Sequence, residues 1–109
     1  MPTSSPPVAR SWSARATPAG ADAYLAHFER AVLPALRRLD GHRGALVLRR
    51  PEDGDVEIIV LTLWASEEAI RVFAGTDVLS AVVEPEARAA LATFDTRATH
   101  FELALHAEP

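Results

Sequence analysis

The stretch Asp55 to Trp64 limits the architecture of this chain more than any other. Val56, Ile58, Val60, Thr62 and Trp64 share one face of an extended strand, and Ile59, Leu61 and Leu63 share the other. A half-exposed antiparallel strand alternates apolar with polar residues. Here both faces are largely apolar, so both need a cover. The continuation is equally defined. Ser66 is placed to cap a helix over Ser66 to Ala74, Glu67 and Glu68 stand in its first turn, and Gly75 is placed to end it. The helix dipole favours negative charge at such a start.

The flanking segments supply the other layers. Val8 to Thr17 reads as a first strand in which Trp12 alternates with Ser11 and Ser13. Pro18 to Leu39 reads as a long helix with Tyr24, Phe28, Val32, Leu36 and Leu39 in one apolar stripe. Pro34 cannot donate to the carbonyl of Arg30 and predicts a kink; Gly41 is placed as the stop. Gly44 to Arg50 is a second strand, joined through Pro51-Glu-Asp-Gly54 to the strand Asp55 to Trp64. Thr76 and Asp77 predict a helical piece around Val78 to Val83, and Pro85 suits the first position of a helix over Glu86 to Leu91. Thr96 to His106 closes the pattern as a fourth strand.

That order predicts an α+β, ferredoxin-like βαββαβ domain: one four-stranded antiparallel sheet with helices on one face. It spans residues 8–106, with 1–7 read as a disordered tail and 107–109 as a frayed end. The helices cover one face, and 109 residues are too few to cover the other. A homodimer with the sheets face to face is therefore predicted, because a bare apolar face would be a solubility problem.

Composition narrows function mainly by exclusion. A net charge of -4, with Arg as every one of the eleven basic residues, argues against a nucleic-acid partner. Without Cys there is no disulfide, thiolate nucleophile or thiolate-bound metal. No apolar run approaches the ~18 residues of a membrane span, and Met1 to Pro7 has no apolar leader core, so a cytoplasmic protein is expected. The Gly residues form neither a dinucleotide fingerprint nor a phosphate loop, and no Ser sits in a nucleophile elbow. Arg49 and Arg50 face Glu52, Asp53 and Asp55 across a turn and read as solvated ion pairs. Glu84 and Glu86 read as a helix start.

Several segments together resemble the antibiotic biosynthesis monooxygenase (ABM) domain family: Leu39-Asp-Gly-His-Arg-Gly44, Leu63-Trp-Ala-Ser-Glu-Glu-Ala69 and Thr99-His-Phe-Glu102, in their strand and helix order. The resemblance runs from about residue 8 to 106. It implies a dimeric α+β barrel. The family includes cofactor-independent monooxygenases that oxidise polycyclic phenols to quinones, haem-degrading enzymes and proteins without known activity. Trp64 matches a Trp that closes the third strand near substrate in the quinone-forming members. Phe73 matches an aromatic of the haem-degrading members, but Val82, Val83 and Glu84 stand where those carry the iron-ligating His, and Trp12 falls near the place of their Asn. Val60 and Ile70 occupy the places of an Asn and a Tyr in the quinone-forming members.

The resemblance therefore implies an apolar pocket lined by Trp12, Phe28, Trp64 and Phe73, with no cofactor and no metal. His100 is the candidate general base. His100, Glu102 and His106 share one strand face, with Phe101, Leu103 and Leu105 on the apolar one, but spacing places no third or fourth metal ligand. The function implied is oxidation of a polycyclic phenol-type aromatic to a quinone. The alternative is a non-catalytic dimeric module that binds an apolar metabolite or serves a structural role.

Overall fold

The computed structural model describes residues 6–109. The tail expected over 1–7 falls partly on residues 1–5, outside the described residues; Pro6 and Pro7 are exposed and outside any strand. The elements run β1 (Val8–Ala16), α1 (Pro18–His27), a π-helical turn (Phe28–Val32), α2 (Leu33–Arg37), β2 (His42–Glu52) and β3 (Asp55–Trp64). They continue with α3 (Glu67–Ala74), α4 (Pro85–Ala90), β4 (Thr93–Phe94) and β5 (Thr99–Glu102).

Local chemistry accounts for most of these boundaries. Thr17 caps α1 by accepting from the Gly20 N–H at 3.1 Å, and Ser66 caps α3 by accepting from the Ala69 N–H at 3.2 Å. Gly75 ends α3 at φ +88°. The β2–β3 hairpin closes on two residues, Asp53 (φ 52°) and Gly54 (φ 84°), with Glu52 facing Asp55. Positive φ at both central positions is the turn whose twist matches paired strands. Pro51 lies in β2 opposite Val56, not in the turn; β2 is an edge strand, where a missing donor is tolerated.

The long helix is not continuous. Ahead of Pro34 the ladder widens into the π turn, in which the Leu33 N–H reaches the Phe28 carbonyl, and regular helix ends at Arg37, short of the expected Leu39. Pro34 lacks the N–H that would meet the Arg30 carbonyl, and the wider turn makes room for its ring.

Among the described residues the antiparallel sheet has five strands, not four. The order is β2-β3-β1, with β4 and β5 sharing the far edge of β1. The single strand expected over Thr96–His106 is replaced by these two short ones. Asp95–Ala98 leaves the sheet between them, where Arg97 bridges Ser80 and the Ala98 N–H reaches the Leu79 carbonyl at 2.7 Å. The same contacts correct the helical piece expected around Val78–Val83: that segment is an irregular crossing held by backbone bonds, not a helix.

Helices pack on one face of the sheet. The core between the layers centres on Leu36, Ile58, Trp64 and Ile70, each at most 1% exposed. Register places Val8, Arg10, Trp12 and Ala14 of β1 on this inner face, opposite Trp64, Thr62, Val60 and Ile58. The other face carries Leu46, Leu48, Ile59, Leu61, Leu63 and Phe101, with Phe101 55% exposed.

Candidate functional site

A narrow cavity lies between the sheet's inner face and the helices. Its volume is about 50 Å³. That is well below the range of drug-sized ligand pockets. The side walls approach closely, and their spacing governs what enters without movement.

The walls are largely aromatic. Trp12 comes from β1, Phe28 from the π turn after α1, and Phe73 from the last turn of α3. The Trp12 indole N–H donates to the Asp95 carbonyl at 2.7 Å, and its ring leans on Tyr24 and Phe94 at centroid distances of 5.9 and 6.4 Å. Trp12 is therefore held as a wall by the loop that interrupts the β4–β5 edge. Trp64 does not line the cavity. It is fully buried behind Phe73, 5.8 Å between centroids, and its indole N–H donates to Thr62 Oγ1 at 2.8 Å. Thr62 does line the cavity, so Trp64 acts on it from behind.

Three polar groups face this space that the sequence reading passed over. Arg10 is 4% exposed. Its guanidinium donates to the carbonyls of Val78 and Ser80 and to His100, and lies 5.7 Å from the Phe73 ring centroid. Burial lowers its pKa. A period-two count from Trp12 puts Arg10 on the same strand face, and that count was the available signal.

His27 and Glu84 are the others. His27 is 2% exposed; its Nε2 lies 3.4 Å from Glu84 and its Nδ1 3.3 Å from Glu86. Those are ion-pair distances, yet neither ring nitrogen meets hydrogen-bond geometry with a described residue. Direction decides a hydrogen bond as much as distance, so these contacts are electrostatic proximity. Tyr24 stands beside them, its pKa raised by burial and by the Glu84 carboxylate. The signal for His27 was its place three residues after Tyr24 and next to Phe28, on the edge of the apolar stripe.

His100 lies outside the cavity, behind Arg10. Its Nε2 is 2.8 Å from Arg10 Nη1, and its Nδ1 is 3.8 Å from the Glu67 carboxylate. The second distance is too long for a hydrogen bond. Burial and the Arg10 charge lower its pKa, and Glu67 opposes them. His100 faces the helices opposite Arg10, while Phe101 faces outward. Glu102 is exposed, and His106 lies beyond β5 and is exposed. Among the described residues, no three acidic or His side chains converge as a metal site, and no helix is long and apolar enough to cross a membrane.

An antiparallel sheet backed on one face by helices, with an aromatic-walled cavity between the layers, defines a small α+β protein. The chain belongs to the antibiotic biosynthesis monooxygenase family, whose profile matches residues 8–92. It is similar in structure to SnoaB, a cofactor-independent oxygenase from Streptomyces nogalater, at TM-score 0.56 and 19% identity over 98% of this chain and 99% of that one. It is also similar to the ActVA-Orf6 monooxygenase of Streptomyces coelicolor, solved with nanaomycin D. There the TM-score is 0.60 and the identity 18%, over 96% of this chain and 93% of that one. At such identities the likeness is one of fold. No curated protein matches the chain.

Proposed function

We propose that the protein is a cofactor-independent monooxygenase that oxidises a polycyclic, phenol-type aromatic to a quinone. The observation that carries this reading is the make-up of the cavity. Flat walls from Trp12, Phe28 and Phe73 line the same cavity as the buried Arg10, in a chain of a monooxygenase family.

The chemistry asks little of the protein. A deprotonated anthrone-type substrate is electron-rich enough to give one electron to O2. The resulting pair combines at carbon, and the hydroperoxide loses water to leave the quinone. One O2 is consumed, one water is released, and the substrate exchanges two hydrogens for one oxygen. The protein has to accept the first proton, hold the ring and keep water out.

In this proposal Glu84, which lines the cavity with His27 3.4 Å behind it, accepts the proton. Trp12, Phe28 and Phe73 hold the ring, and Trp64 supports Phe73 and Thr62. His100, whose accepting nitrogen is taken by Arg10, becomes a positioning residue in place of the base read from the sequence.

The test is oxygen uptake by metal-free protein with a hydroxy-anthrone. The expected result is protein-dependent consumption of one O2 per quinone, reduced at least tenfold in folded Glu84→Gln. No uptake above background from folded protein overturns the reading. It would favour the alternative, a module that holds an apolar metabolite without turnover; the narrowness of the cavity is the observation on that side.

The proposal includes a second copy of the chain. Leu46, Leu48 and Phe101 are 45%, 44% and 55% exposed on the outer sheet face, and Ile59, Leu61 and Leu63 continue that patch. Two such faces packed together would bury it at about 25 cal/mol per Å² of apolar area removed from water.

A further inference from the structure

Among the described residues, Arg10 is a buried cation without a counterion. The three acceptors of its hydrogen bonds are neutral: the carbonyls of Val78 and Ser80, and His100 Nε2. The carboxylate on that side, Glu67, stands beyond the imidazole, 3.8 Å from its far nitrogen. A guanidinium has five N–H donors, so three bonds leave two of them open. Buried charges in proteins are ordinarily paired, because an unpaired one is costly to take out of water. Arg10 also lines the cavity, with its guanidinium over the Phe73 ring. The cation and the aromatic walls therefore border one space.

We propose that the cavity takes its aromatic ligand as the anion, with an ionised phenol oxygen bound to Arg10 as the missing counterion. This rests on the aromatic-substrate reading above and adds the form in which the substrate binds. On binding, the phenol O–H bond breaks, the electron pair stays on oxygen, and this proton, separate from the ring-carbon proton that Glu84 accepts during oxidation, passes to bulk water through the mouth. The planar fork of a guanidinium suits a single oxyanion held edge-on beside the ring stack.

The other charged and titratable groups around the cavity are Tyr24 and His27 from α1 and Glu84 and Glu86 from the start of α4, with Arg30 of the π turn bonded to Glu86. His100 from β5 and Glu67 from α3 lie behind Arg10. The two carboxylates on the α4 side oppose an anion, so a lowered phenol pKa would have to come from Arg10, on the sheet side.

The experiment uses 2-hydroxyanthraquinone, a flat phenol that cannot be oxidised further in this way and whose ionised form absorbs at longer wavelength. Its absorbance is titrated free and bound to the full chain, and binding of uncharged anthraquinone is measured in parallel. The expected result is a bound phenol that ionises at least one pH unit lower than the free dye, a tenfold gain in ionisation or about 1.4 kcal/mol. Anthraquinone should show no matching rise in affinity over the same pH range. Folded Arg10→Met should abolish the shift, and Arg10→Lys should keep part of it. If Arg10→Met does not fold, the wild-type titration still decides. An unchanged or raised phenol pKa, no binding of the phenolate, or an undiminished shift in folded Arg10→Met would each overturn the proposal. Turnover is read separately: a lowered phenol pKa without oxygen uptake keeps the anion site and removes the monooxygenase.

Discussion

His100 Nε2 lies 2.8 Å from Arg10 Nη1, and the guanidinium has only donors to offer, so this imidazole nitrogen is the acceptor. The proton of the neutral ring is thereby assigned to Nδ1, on the side of Glu67. Protonating Nε2 would break the bond to Arg10 and set two cations against each other.

The first prediction is a pH dependence of stability. Burial and Arg10 lower the pKa of His100; burial and Arg37 lower that of His42. Both groups then bind more protons unfolded than folded. Their contribution is intact above the unfolded pKa of about 6.5 and is lost as pH falls from there toward their folded values. The midpoint of thermal unfolding should therefore drop between pH 7 and pH 5.5, before the carboxylates Asp77 and Glu86, whose pKa values are lowered, begin to titrate. His100→Gln should flatten this slope. A variant with the wild-type slope would remove His100 from the account.

The second concerns Trp64. It is fully buried and touches His42 edge-on at 5.3 Å and Phe73 at 5.8 Å. Trp64→Ala should cost about 3–5 kcal/mol, a large share of the 5–15 kcal/mol typical of a domain. Trp64→Phe should cost less, through a smaller cavity and about 1 kcal/mol for the lost bond to Thr62. Urea unfolding measures both, and near-equal losses would contradict this packing.

The third reverses a usual rule. Gly20 lies inside α1, where Ala is ordinarily the better residue by roughly 1 kcal/mol. A Cβ there would stand 2.3 Å from the Ala90 carbonyl oxygen, a backbone atom of α4's last residue. Gly20→Ala should therefore destabilise the protein, by about 1–3 kcal/mol if the two helices separate to admit it. A stabilised variant in calorimetry would show that α1 and α4 approach less closely.

The fourth tests the outer sheet face. Leu61 sits at its centre, between Leu46 of β2 and Ser11 of β1. Sedimentation should show wild-type protein as a dimer and Leu61→Arg as a folded monomer. A wild-type monomer at micromolar concentration would remove the sheet-to-sheet pairing.

Local elements were legible because short-range chemistry sets them. β3 begins and ends where its apolar run does, Ser66 caps α3, Gly75 ends it, and Pro85 opens α4. The far edge of the sheet was not legible. Thr96–His106 carries an alternating pattern, but the backbone of Thr96–Ala98 pairs with Leu79–Ala81 instead, which splits the strand and prevents a helix there. That competition lies between segments distant in sequence, and no local propensity records it.

The sequence by itself determined the family and the α+β pattern, because periodicity and caps act over a few residues. Only the tertiary structure decided which face of β5 turns inward. Strand side chains alternate with period two, so one step in register exchanges His100 for Phe101, and a strand with bulky residues at both parities leaves the choice to its partner. Pairing with β1 set His100 opposite Arg10 and left that cation buried beside Phe73. The same packing brought His27 against Glu84 across 57 residues of chain. Those meetings create the polar side of the cavity, and they depend on how the helices and the interrupted edge fold back on the sheet.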